Sequence, residues 1–297
     1  MTTVATKARV AFKNILFAND FSPAAIAALP YATGLAKQYG GKVHGLHVRF
    51  PATYPIVGPE AMPQIIEAAE EQAKFEAKQM HEVLSGVPHE VTIMEGDLWP
   101  TIHEIVEKQK VDLIVMGTHG RKGVSRALLG SAAEEVFRKA SCPVLTVGPR
   151  ASHDTERRMA MKQIVFATDF SPESLAALPF AVSLAQEHQS NLTILNVAGK
   201  QEVGDLVHAE QYTESTMRRL RNLVPSGAEL WCEPHCRVEH GGEAEKIVEV
   251  AVATGADLIV LGLHKPQGGL GATTHVLRSI AHQVVVEAPC PVLTVRA

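Results

Sequence analysis

The amino-acid sequence predicts an α/β protein of two tandem domains, each a five-stranded parallel sheet with helices on both faces. Two observations carry this expectation. First, three segments of the 297-residue chain occur twice. NILFANDFSPAAIAALPYATGLA (14–36) matches QIVFATDFSPESLAALPFAVSLA (163–185) at fourteen of 23 positions. VDLIVMGTHG (111–120) returns as ADLIVLGLHK (256–265), and CPVLTV stands at both 142–147 and 290–295. The offsets of 149, 145 and 148 mark a domain duplication, far longer than a solenoid period. Second, short apolar runs alternate with helical patterns inside each copy, which builds a parallel sheet covered on both faces. The implied division is a first domain at 1–149, a charged linker RASHDTERRMAMK at 150–162 and a second domain at 163–297.

Taken in order, ILFAND reads as a buried strand. The helix after it is capped by Ser22 with Pro23 in its first turn, a pairing repeated by Ser171 and Pro172. Pro30 and Pro179 fall inside these helices and are expected to bend them. KVHGLHV is a strand, and the proline-rich loop RFPATYPIVGPEAMPQ (49–64) leads into the amphipathic helix IIEAAEEQAKFEAKQMHEVL. EVTIMEG, TIHEIVEKQ, VDLIVMG, SAAEEVFRKA and CPVLTV complete the copy as strand, helix, strand, helix, strand.

Composition narrows the function. With 28 basic and 32 acidic residues, the net charge of -4 provides no footprint for nucleic acid or an anionic membrane. No apolar run reaches the roughly 18 residues of a membrane span, and the basic N-terminus lacks the apolar core of a secretory signal. Four cysteines make no disulfide scaffold, so a cytoplasmic protein is expected.

The densest signal is GTHGRKGVSRALLGSAAEEV (117–136). It contains neither a P-loop nor the G-x-G-x-x-G of a dinucleotide fold. It does contain Gly117, Gly120 and Gly130-Ser131 in the spacing G-x2-G-x9-G-S, between the penultimate strand and a helix. Glycines let the backbone approach a ligand, and the helix tip offers unpaired N–H groups and a positive dipole end to phosphate. Arg121, Lys122 and Arg126 add positive charge nearby, and the Ser131 hydroxyl can assist through a phosphate-bound Mg²⁺.

With these motifs the sequence resembles the universal stress protein family, tandem type, over essentially all of both Rossmann-like copies. The glycine spacing is similar to that of the family's ATP-binding branch. The resemblance implies that Asp20 contacts the ribose and Val48 the adenine, while Gly117, His119, Gly120, Gly130, Ser131 and Ala132 take the phosphates, with ATP and Mg²⁺ as cofactors. Plainer readings stand beside these: Asp20 as a turn cap, Val48 as core, His119 as a packed loop residue, and the 49–64 loop as either a lid or a stiff connection. The family also pairs its last strands across a dimer. The two CPVLTV strands are therefore expected to pair within this chain as a pseudo-dimer, with a further homodimer open.

The second copy keeps Asp169, Val197, Gly262 and Ser279, but Lys265 stands for Gly120 and Arg278 for Gly130, in a loop longer by three residues. It is expected not to bind ATP in the same manner. Cys232, Cys236 and His240 share one face of an extended segment; a zinc site and simple core packing are both open, and packing is preferred. The functional expectation is a stress-response binding module that takes an adenine nucleotide and acts on a regulatory protein partner. No catalytic residue set is evident. A weak ATP hydrolase and a nucleotide-free scaffold are the rivals.

Overall fold

A computed structural model of the chain describes residues 10–49, 62–118, 129–151, 160–199, 206–224, 226–228, 234–263 and 279–296. The first domain runs β1 (Asn14–Ala18), α1 (Pro23–Tyr39), β2 (Lys42–Arg49), α2 (Met62–Leu84), β3 (His89–Glu95), α3 (Leu98–Gln109), β4 (Leu113–Gly117), α4 (Ser131–Lys139) and β5 (Val144–Val147). The second runs β6 (Gln163–Ala167), α5 (Pro172–Leu175), α6 (Leu178–His188), β7 (Asn191–Ala198), α7 (Leu206–Arg221), β8 (His235–His240), α8 (Glu243–Thr254), β9 (Leu258–Leu263), α9 (Ile280–Glu287) and β10 (Val292–Arg296).

Both capping serines act as the sequence predicts. Ser22 Oγ accepts the Ala25 N–H at 3.2 Å, and Ser171 Oγ accepts the Ser174 N–H at 3.1 Å. The two prolines differ in outcome. The first domain's helix runs unbroken through Pro30. The second domain's helix divides at Ala176–Ala177, ahead of Pro179.

Ten strands form one sheet in the order β3-β2-β1-β4-β5-β10-β9-β6-β7-β8. All neighbours are parallel except β5 and β10, which meet antiparallel with Leu145 opposite Leu293. The expected pairing of the two CPVLTV strands is thus present within one chain, and it removes both apolar edges. Hydroxyls support the seam: Thr146 Oγ1 donates to the Val292 carbonyl and Thr294 Oγ1 to the Val144 carbonyl, each at 3.2 Å. The central strands are covered on both faces, which is why they read as unbroken apolar runs. Each face of the sheet carries one apolar layer drawn from both domains. Phe12 and Phe180 stack across the junction with ring centroids 6.4 Å apart.

Candidate functional site

In the first domain the order β3-β2-β1-β4-β5 reverses direction between β1 and β4. In sheets of this kind ligands bind in the crevice beyond the carboxyl ends of two such strands. Asp20 follows β1, Val48 is near the end of β2, Gly117 ends β4, and Gly130 and Ser131 open α4. Ala132 is the second residue of α4. His119 and Gly120 lie outside the described residues, as do Arg121, Lys122, Arg126, residues 50–61 and, in the second domain, Lys265 and Arg278.

The turn after β1 is built from its own side chains. Asn19 Oδ1 accepts the Phe21 N–H at 2.8 Å and Asp20 Oδ1 accepts the Ser22 N–H at 3.0 Å. These bonds carry the chain through Phe21, whose φ of 60° is left-handed, into α1. Asp20 therefore has the turn-forming role open to it from sequence, and it has that role at the crevice.

Beneath the turn lies a polar set that sequence reasoning missed. His47 Nδ1–H donates to the Asn19 carbonyl at 2.7 Å, and its Nε2 faces Glu76 Oε2 at 3.9 Å. Arg49 Nε stands 3.7 Å from the same oxygen, while Arg49 Nη1 donates to the Ala69 carbonyl at 2.9 Å. Gln72 Nε2 donates to Glu76 Oε1 at 2.9 Å. Glu76 is only 5% exposed, so α2 is linked to the β1 turn through charge in a low-dielectric place. The signal was available: Glu76 shares the inward helix face with Met80 and Leu84 at i, i+4 and i+8. The second domain does the same work without charge. Asn196 Nδ2 donates to the Thr168 carbonyl at 2.9 Å, and Tyr212 Oη donates to Asn196 Oδ1 at 3.2 Å.

Gly117 has a reason of its own. A Cβ there would lie 2.6 Å from the Ala24 carbonyl carbon and 2.8 Å from the Ala25 nitrogen, inside the first turn of α1. The Gly262 position in the second domain is tighter still, 2.2 Å from the Glu173 oxygen. These glycines let β4 and β9 touch a helix backbone.

The two helix tips differ. Gly130 caps α4 with φ −62° and ψ 146°, donates its N–H to the Thr118 carbonyl at 2.9 Å, and has no side chain to occupy the first turn. The Glu134 N–H already bonds the Gly130 carbonyl, so the amides before it face the crevice end of α4, beside the exposed Ser131. In the second domain Ser279 is the cap, and its hydroxyl accepts the His282 N–H at 3.2 Å. That tip is closed by its own residue.

Of the cysteine cluster, Cys236 behaves as core. Cys236 packs on the apolar layer, and His240 Nε2 is 3.0 Å from Thr213 Oγ1; Cys232 lies outside the described residues. Burial pushes the Cys142 thiol up to about 12, and that of Cys290 up further. Among the described residues no group of three or more His, Cys, Asp or Glu side chains is placed to hold a metal, and no helix is long and apolar enough to cross a membrane.

The sequence profile of the Universal stress protein family matches residues 11–148 and again 161–296. A universal stress protein of Mycolicibacterium smegmatis is 27% identical over 295 residues, covering 95% of this chain and 96% of that protein. One from Methanocaldococcus jannaschii is 35% identical over 140 residues, 46% of this chain and 82% of its own length. The crystal structure of a universal stress protein from Archaeoglobus fulgidus superposes with a TM-score of 0.69 at 24% identity, covering 96% of this chain and 97% of that one. The structural counterpart shows a shared fold, and the two profile matches, which cover nearly the whole length, show the family: this chain belongs to the universal stress protein family and carries two of its domains in tandem.

Proposed function

We propose that the first domain binds ATP and that occupancy changes how this cytoplasmic protein contacts a regulatory protein partner. The observation that carries the reading is the open tip of α4. Its cap is a residue without a side chain, and its first-turn amides and positive dipole end point to the edge where β1 and β4 diverge. Asp20 stands across that edge for the ribose, and the backbone at Val48 stands for the adenine. His119 and Gly120, outside the described residues, complete the phosphate loop under this reading. Mg²⁺ would be carried on phosphate oxygens, with the exposed Ser131 hydroxyl within the same tip. The second domain, with Ser279 closing its tip, is left out of nucleotide binding.

The test is thermal unfolding with and without Mg·ATP, followed by mass analysis of anything released on denaturation. At a ligand concentration of about 100 Kd, binding stabilises the fold by about 2.7 kcal/mol. For a chain of this length the entropy of unfolding is about 0.6 kcal/mol per degree, so the midpoint should rise by about 4 to 5 °C. No shift and no released nucleotide would leave the scaffold reading. ADP accumulating over many turnovers would replace a binding module with a hydrolase.

A further inference from the structure

We infer that the second domain acts as a brace for the nucleotide helix of the first, with Arg296 as its positioning residue. The inference rests on the reading of the α4 tip as the phosphate site. Arg296 ends β10, the seam strand of the second domain, and its guanidinium crosses the seam to the far end of α4. There Nε donates to the Ala140 carbonyl at 3.2 Å, and Nη2 donates to the Phe137 and Arg138 carbonyls at 3.0 and 3.1 Å. These are the last carbonyls of a nine-residue helix, which have no partner in the helix itself. A cation at that end also complements the dipole whose positive end meets phosphate.

The root of the phosphate loop lies close to the same seam. A Cβ at Gly148, just past β5, would stand 3.5 Å from the Val285 carbonyl of α9 and 3.9 Å from Thr118 Oγ1. Thr118 is the residue whose carbonyl receives the Gly130 N–H. The second domain thus touches the C-terminal end of α4 directly and packs beside Gly148, next to the residue that anchors the tip. A helix of nine residues is a rod of about 13 Å, so fixing one end aims the other. This assigns work to a copy whose own tip is closed.

The seam supplies an internal control. Arg150, the first linker residue, makes the converse contact, Nη1 donating to the Glu287 carbonyl at the end of α9. Arg296→Ala and Arg150→Ala each remove one cross-seam cap. In the full chain, Arg296→Ala should weaken Mg·ATP binding about three- to tenfold, Arg150→Ala should leave it unchanged, and Arg296→Lys should recover part of the loss. Hydrogen exchange supplies a readout independent of nucleotide. Arg296→Ala should speed exchange of the Gly130 and Glu134 amides at the N-terminal end of α4, where a purely local cap would change only the amides of the last turn. If exchange at Gly130 and Glu134 does not move, or both alanine variants alter ATP affinity equally, the brace is overturned. If the wild-type chain takes up no ATP, the nucleotide reading fails on its own, and the exchange pattern still decides whether Arg296 aims the helix.

Discussion

Replacing Gly117 with alanine should destabilise the fold whether or not nucleotide is present. The added Cβ would sit 2.6 Å from the Ala24 carbonyl carbon, 2.7 Å from its oxygen and 2.8 Å from the Ala25 nitrogen. Ordinary contact is about 3.5 to 4.0 Å, so roughly 1 Å must be found between β4 and α1. Neither partner is a side chain that can swing away. Overpacking a core costs about 1 to 3 kcal/mol, and a backbone-on-backbone clash belongs at the upper end. About 3 kcal/mol corresponds to a midpoint lower by about 5 °C at this chain length. Gly262→Ala, with its nearest atom at 2.2 Å, should cost at least as much in the domain assigned no nucleotide. Calorimetry of the ligand-free variants measures both. A Gly117→Ala protein as stable as wild type but unable to take up ATP would refute the packing argument.

Gly130→Asp should leave the fold intact, since φ −62° and ψ 146° suit any residue, while its carboxylate occupies the first-turn amides and repels phosphate; calorimetric titration with Mg·ATP should show binding lost without loss of stability. Glu76→Ala should cost about 3 kcal/mol in denaturant unfolding, because Arg49 and His47 lose the charge they face, and Glu76→Gln should recover part of it. Burial pulls the His44 and His188 imidazoles below their ordinary value of about 6.5. The unfolded chain therefore takes up protons first on acidification, so this contribution to stability is present above about pH 6.5 and lost as the pH falls toward the folded-state values. Guanidinium unfolding at pH 7.5 and 5.5 should show that loss, and His44→Asn should reduce it; equal stability at both pH values would contradict the assignment.

The parts of the fold legible in the sequence were those written in local pattern. The alternation of strands and helices, the caps at Ser22 and Ser171 and the seam between the CPVLTV strands depend on periodicity, on capping chemistry three residues long, and on an apolar edge that the family resemblance says is paired. What escaped was non-local polar pairing. Nothing in GLHVR says that His47 will clamp the Asn19 carbonyl, because the pair exists only once β1 and β2 lie side by side. Arg296 is equally silent until β10 has paired with β5 and brought the end of α4 within reach. The division of one proline-containing helix and not the other is also unexplained by local sequence, since Pro30 and Pro179 stand in matching contexts.

The duplication separates the loop glycines by cause. In the first copy Gly117, Gly120 and Gly130 form one motif, and sequence alone offers one reason for all three, a ligand close to bare backbone. The second copy keeps Gly262 for Gly117 but has Lys265 and Arg278 in place of the others. Geometry explains the glycine that stays: at 117 and 262 a side chain would strike helix backbone in either domain, whatever is bound. Backbone conformation does not demand the glycine at 130, where φ is negative and the backbone extended. A residue that backbone conformation leaves free to vary, and that is glycine only in the domain with the open helix tip, takes its small size, under the proposed function, from a phosphate that approaches from outside. The phosphate reading therefore rests on Gly130 and the tip it leaves bare, while Gly117 belongs to the packing of β4 on α1.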